Sequence, residues 1–91
     1  MNVEELRGLA RAAEPLSPAS LALDGHERVV AYNDLVSRFR ERVVSARNAI
    51  VRGLAVDPDL EHELRLLAKA LPGVRHRAEA AVERERQRSF G

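Results

Sequence analysis

The sequence predicts an all-α protein, a three- to four-helix bundle built on one long central helix. No Pro or Gly occurs from His26 to Arg52, and apolar residues recur through this stretch in steps of three and four, the spacing of one helix face. Asp24-Gly25 precedes this stretch, Gly53 follows it, and Asp57-Pro58 comes shortly after, and such residues punctuate helices. The 91 residues fit a single helical domain, 1–91.

The N-terminal segment predicts a short peripheral helix within residues 1–14. Asn2 and Glu5 have the spacing of a capping box, and Pro15 closes the segment. Residues 15–25 form a connector, in which Ser17 followed by Pro18 predicts one short helical turn.

The central helix is predicted over about 26–53. Its apolar stripe follows heptad a/d steps, which favours coiled-coil-like side-chain packing. The stripe comprises Val29, Tyr32, Val36, Phe39, Val43, Ala46, Ile50 and Gly53. A second apolar ridge lies about 100° around the helix and predicts a second neighbouring helix, which favours a bundle. This ridge comprises Val30, Val44, Val51 and Leu54.

A third helix is predicted over about 58–71, antiparallel to the central one, so that 26–71 is a helical hairpin. Asp57-Pro58 is a cap followed by Pro at the first helical position. Leu60, Leu64, Leu67 and Leu71 form its apolar stripe. Pro72-Gly73 predicts the end of this helix or a sharp kink, and residues 74–91 form a separate basic helix or tail.

The net charge of +1 conceals alternating blocks of charge. Residues 38–56 hold five bases and one acid, whereas residues 57–64 hold four acids and no base. In an antiparallel hairpin these two blocks lie side by side, so we expect them to form ion pairs that help set the register of the helices.

The hydrophobic residues include 14 Ala, and the predicted core is therefore thin. A thin core and a long apolar stripe favour either a monomeric bundle or self-association, with a dimer as the expected oligomer. The expected function is protein–protein interaction or assembly, without catalysis, through apolar helix faces. The candidate interface residues are Val29, Tyr32, Val36, Phe39, Val43 and Ile50.

Nucleic-acid binding by a small DNA-binding regulator is the alternative function. The final segment contains the arginines that phosphate binding requires: Arg75, Arg77, Arg84, Arg86 and Arg88. Glu79, Glu83 and Glu85 are interleaved with them at helical spacing, which is typical of a self-paired, solvated helix. This alternative therefore ranks second to a protein partner.

Other classes of function lack the residues that they need. The chain has no Cys, and its three histidines, His26, His62 and His76, contain no i, i+4 pair for a metal ion. No nucleophile motif and no Gly-rich phosphate loop occur. We therefore expect no enzyme activity, cofactor or small-molecule substrate. No apolar run reaches the roughly 20 residues of a membrane span, and no signal-peptide pattern is present, so the expected location is the cytoplasm.

Overall fold

The structure, a computed structural model, describes residues 1–90, with side chains described for residues 1–88. Over these residues it contains four helices and no strand: α1 Val3–Ala10, α2 Pro18–Leu21, α3 Glu27–Val51 and α4 Pro58–Phe90. The predicted all-α class is confirmed. The molecule is long and narrow, with extents of 57 × 19 × 17 Å.

Helices α3 and α4 form an antiparallel hairpin around a short loop. The loop begins at Gly53, whose φ of 73° is favourable only for a residue without a side chain. This conformation lets the Leu54 amide donate to the Ala49 carbonyl at 2.9 Å, which satisfies one of the last carbonyls of α3. The sequence prediction of a long helix that packs against another helix is confirmed.

The core lies along the hairpin and is completed by the N-terminal segment. The most deeply buried large side chains of α3 and α4 alternate along their shared boundary, and Leu6 and Leu16 cover them from the N-terminal side. The fully buried large residues of the hairpin are Val29, Tyr32, Phe39, Leu64, Leu71 and Val82. A single chain therefore buries most of its own main apolar stripe.

Residues 1–21 run parallel to α4 with a nearly constant sequence offset. Glu5 pairs with Arg65 at 3.1 Å, and the Arg75 guanidinium donates to the Pro15 carbonyl at 3.1 Å, both across 60 residues. Ser17 is bonded to Glu79 across 62 residues. Residues 1–21, the N-terminal strip, thus pack beside the two long helices as a third part of the bundle. The strip is helical near its two ends, in α1 and α2.

The predicted end of the third helix at Pro72-Gly73 is wrong, because α4 continues without interruption from Pro58 to Phe90. Proline lacks an N–H and costs about 3 kcal/mol inside a helix. Leu71, Ala78 and Val82 are all nearly inaccessible to solvent, so both halves of α4 bury the same face. Burial on both sides of Pro72 outweighs the local cost and keeps the two halves in one helix.

The expected pairing of the two charge blocks is confirmed at Glu63. Its carboxylate accepts from Arg38 at 3.0 Å and from Arg42 at 3.1 Å, so one acid of α4 joins two bases of α3. These contacts hold the pKa of Glu63 below its usual value, chiefly through the Arg42 hydrogen bond. Two other acids of the same block bond elsewhere: Glu61 pairs with Arg65 on its own helix, and Asp57 accepts from the Asp59 backbone amide.

Candidate interaction surfaces

The six residues predicted to contact a partner protein lie mostly inside the chain. Four of them, Val29, Tyr32, Val36 and Phe39, are buried between α3, α4 and the N-terminal strip, and Val43 and Ile50 are half-buried. Burial raises the pKa of the Tyr32 hydroxyl, which donates to the Glu14 carbonyl. In the folded chain this set forms the core, and only Val43 and Ile50 are within reach of a partner.

The second apolar ridge of α3 is solvent-exposed in the single chain. As predicted, α3 contacts two helices, α4 and α1, but neither of them covers this ridge. Val44 and Val51 lie two turns apart on one helix face, and their side chains are 53% and 74% exposed. Helix α1 has only eight residues and packs on the side of α3 that carries Val43, so it leaves this ridge open.

The exposed ridge is part of a larger apolar surface at the loop end of the hairpin. We define the loop-end patch as Val3, Val44, Val51 and Leu54. Leu54 follows directly after Gly53 and is 61% exposed, and Val3 at the start of α1 is 39% exposed. Clusters of exposed aliphatic side chains are uncommon on monomers, so this patch is a candidate interaction surface.

A groove between α1 and α3 joins the loop-end patch. Its volume is about 440 Å³, and Val3 and Val51 of the patch contribute to its walls. The complete lining is Val3, Leu6, Arg7, Ala10, Val43, Arg47 and Val51. All the charged residues of this lining are arginines, so the groove is apolar along its floor and positive at its rim.

The two arginines at the rim differ in their neighbours. Arg7 pairs with Glu4 on the same helix at 3.6 Å, and both side chains are largely exposed. Arg47 forms no ion pair with any residue among 1–88, and its side chain borders the patch. Arg47 is therefore the cation of the groove rim that has no counter-ion among residues 1–88.

The five arginines predicted to contact nucleic acid do not form one surface. Arg75 is half-buried and bonded to the N-terminal strip, and Arg86 lies near Glu83 at 3.6 Å beside a shallow pocket that Leu23 also lines. At 100° per residue these two share one side of α4, whereas Arg77, Arg84 and Arg88 lie on the opposite side. The predicted cluster thus separates into two groups by helix face.

Glu79 forms the most extensively bonded polar cluster of the chain. Its carboxylate accepts from the Ser17 amide at 2.7 Å and from the hydroxyls of Ser17 and Ser20 at 2.6 Å each. Burial opposes ionisation, but these hydrogen bonds and the nearby Arg75 lower the pKa of Glu79 below its usual value. The contacts with Ser17 and Ser20 fasten α2 to α4, so the cluster has a structural role.

Metal-binding clusters and membrane-spanning helices are both absent from the described residues. Over residues 1–90 no group of three or more His, Cys, Asp or Glu side chains is arranged to hold a metal ion. None of the helices over the same residues is both long and apolar enough to span a membrane.

Comparisons with protein-family models, with curated proteins and with solved structures give no match to this chain. Its function is therefore inferred from its own residues.

Proposed function

We propose that this protein is a non-enzymatic protein–protein interaction module, and that it binds an amphipathic partner helix through the loop-end patch and the adjoining α1/α3 groove. The observation that carries the proposal is the exposure of Val44, Val51 and Leu54 beside a groove whose floor is apolar. The fold leaves these side chains in solvent although its own core is complete without them.

The size of the groove fits a short helical segment. Its walls come from residues 3–10 of α1 and residues 43–51 of α3, each about two helical turns long. An amphipathic helix of two to three turns would bury its apolar face there in the helix-in-groove mode. In this mode the two helices contact each other through side chains at helical spacing, and Val44 and Val51 are separated by two helical turns.

Apolar burial alone gives only modest affinity. Full burial of a Val or Leu contributes about 1.5–3 kcal/mol, and because the four patch residues are already partly covered, they contribute on the order of 4–6 kcal/mol together. Association itself costs about 4–15 kcal/mol. Further contacts are therefore needed, and the positive rim supplies them to a partner with acidic residues beside its apolar stripe.

Designed peptides test the proposal directly. Three labelled helical peptides share one Leu/Val stripe: one has Glu on both flanks of the stripe, one has Lys there, and the third has the Glu composition in scrambled order. Fluorescence anisotropy with the full chain is expected to show binding in the order Glu-flanked, Lys-flanked, scrambled. The double substitution Val51→Ser and Leu54→Ser is expected to weaken the best peptide at least tenfold.

Matched variants separate the apolar and the charged contributions. Leu66 on α4 is 54% exposed and lies away from the groove, so Leu66→Ser is the control for the loss of an exposed aliphatic side chain. Arg47→Glu is expected to reverse the preference between the Glu- and Lys-flanked peptides. Equal binding of all three peptides, or binding that Val51→Ser and Leu54→Ser leave intact, contradicts the proposal.

A second copy of this chain is the alternative binding partner for the loop-end patch. Light scattering during gel filtration distinguishes self-association from binding of a separate partner. If the chain is a dimer, and if Val51→Ser with Leu54→Ser dissociates it, then the patch binds a second copy of the chain and not a separate partner helix. A monomer that binds the Glu-flanked peptide supports the proposal as stated.

A further inference from the structure

The solvent side of α4 carries a basic stripe that the proposed function does not use. We define the outer face of α4 as the residues that recur in steps of three and four on the side opposite its buried leucines. These residues are His62, Leu66, Lys69, Gly73, Arg77, Ala80, Arg84, Gln87 and Arg88. All are exposed except Ala80, which is half-buried.

From His62 to Arg88 the outer face contains cations and no acid; Asp59, three residues before His62, is the acid on the same side of the first turn of α4. Lys69, Arg77 and Arg84 form no ion pair with any residue among 1–88, and Arg88, which lies near Glu85 at 3.6 Å, is 77% exposed. The acids of α4 are directed elsewhere: Glu61 and Glu63 bond to Arg65 and to α3, and Glu79 bonds to α2. The pairing of these acids on the other sides of α4 leaves its outer face positive from Lys69 to Arg88.

The distribution of the cations determines the size of their ligand. From Lys69 to Arg88 the stripe extends about 28 Å at 1.5 Å per residue. Neighbouring cations are about 6–12 Å apart along the axis, so a free phosphate or another small anion would contact one or two of them at most. A ligand that contacts all four must be an extended polyanion.

Nucleic acid fits this stripe better than a membrane does. Leu66 is the sole large aliphatic side chain of the outer face, and the face has no aromatic residue, so it offers little to insert between lipids. The same lack of aromatic side chains excludes a base-stacking surface. A row of Lys and Arg with few other polar side chains suits contacts to phosphates, which carry no sequence information.

We infer that the outer face of α4 binds the phosphate backbone of double-stranded nucleic acid without sequence preference, through Lys69, Arg77, Arg84 and Arg88. This surface lies on the solvent side of α4, separate from the groove between α1 and α3, so the two can act independently. Of the five arginines predicted to contact nucleic acid, Arg77, Arg84 and Arg88 lie on this face, and Lys69 joins them.

Salt-dependent titration measures this binding. The full chain is titrated into labelled DNA and RNA duplexes of about 20 base pairs at several salt concentrations. Four phosphate contacts predict a slope of about −3.6 in log K against log salt, so that binding weakens about 100-fold between 50 and 200 mM salt. The duplex that binds more tightly identifies the natural polymer, and either result supports the inference.

Two variants with the same change in net charge make the test specific to the surface. Arg77→Gln with Arg84→Gln removes two cations from the outer face. Arg28→Gln with Arg52→Gln removes one exposed cation from α3 and one from the cap at its C-terminal end. The first is expected to weaken binding at least tenfold at 50 mM salt and to reduce the slope by about 1.8. The second is expected to change affinity less than threefold.

Three results would overturn the inference: no duplex binding at 50 mM salt, equal effects of the two double variants, or tighter binding to vesicles of anionic phospholipid than to either duplex. Helical circular dichroism of each variant checks that the fold is retained, which the exposure of all four arginines leads us to expect.

Discussion

The carboxylate of Glu79 accepts a hydrogen bond from the Ser20 hydroxyl at 2.6 Å and thereby joins α4 to α2 across 59 residues. Ser20 is completely buried, and its hydroxyl would be costly to leave unbonded. Because α2 has only four residues, it cannot be stable as an isolated helix. Its position depends on this polar contact together with the burial of Leu16.

Replacing Glu79 with Ala is expected to destabilise the protein by about 2–3 kcal/mol, because three donors lose a charged acceptor. Urea denaturation followed by circular dichroism measures the change. Glu83 is one turn further along α4 and has only a 3.6 Å ion pair with Arg86. Glu83→Ala is the matched control, and its effect is expected to stay within about 0.5 kcal/mol. Equal effects of the two substitutions would show that the Glu79 cluster does not hold α2 in place.

The lowered pKa of Glu79 predicts a pH dependence of stability. The pKa of Glu79 in the folded state is below its usual value, which it has in the unfolded chain. The stability that the ionised carboxylate provides is therefore complete above the usual pKa, and it is lost as the pH falls through the folded-state pKa. The difference in unfolding free energy between wild type and Glu79→Gln is therefore expected to shrink below about pH 4.5.

The control for this pH dependence is Glu41→Gln. Glu41 is exposed on α3 and its carboxylate forms no ion pair with residues 1–88, so wild type and this variant are expected to give parallel curves. A constant difference between wild type and Glu79→Gln from pH 7 to pH 3 would contradict the role of the ionised carboxylate.

The long helix and its partner were predictable because their signals are local. The Val36, Phe39 and Ala46 positions repeat at helical spacing, and Asp57-Pro58 marks the start of α4. The continuation through Pro72 was not predictable in this way. It depends on the burial of Leu71 and Ala78 against other parts of the chain, a tertiary effect that no local signal records.

The outer face of α4 and the loop-end patch could not be predicted from local signals either, because both depend on tertiary structure. A helix predicted to end at Pro72 cannot relate the direction of Lys69 to that of Arg77, so the outer face of α4 becomes visible only once the helix is known to be continuous. The exposure of Val44 and Val51 could not be predicted either, because the periodicity of a ridge does not show whether a neighbour covers it.

The Phe39 side chain is 1% exposed at the centre of the hairpin, so its truncation tests the assignment of the apolar stripe to the core. Phe39→Ala is expected to cost about 3–5 kcal/mol of unfolding free energy. Val44→Ala on the neighbouring exposed ridge is the control, with an expected change of less than about 0.5 kcal/mol. Comparable losses at both positions would mean that the ridge is also covered in solution.

Pro72 is the position at which local and tertiary preferences conflict, and its replacement measures their balance. The ring removes the amide that would bond to the Ala68 carbonyl, and Pro72 is exposed. Pro72→Ala restores this donor and is expected to stabilise the protein by about 1–3 kcal/mol, as measured by urea denaturation.

Gly73→Ala gives a second, smaller gain at the adjacent position. A Cβ there would meet only the Arg77 guanidinium, at 3.5 Å, which is ordinary contact with the end of a flexible side chain. The expected stabilisation is about 0.5–1 kcal/mol, from helix propensity and reduced freedom of the unfolded chain. If α4 is continuous, both substitutions stabilise the protein. If the helix instead ends at Pro72, as local preference alone predicts, Pro72→Ala restores no hydrogen bond and neither substitution raises the unfolding free energy.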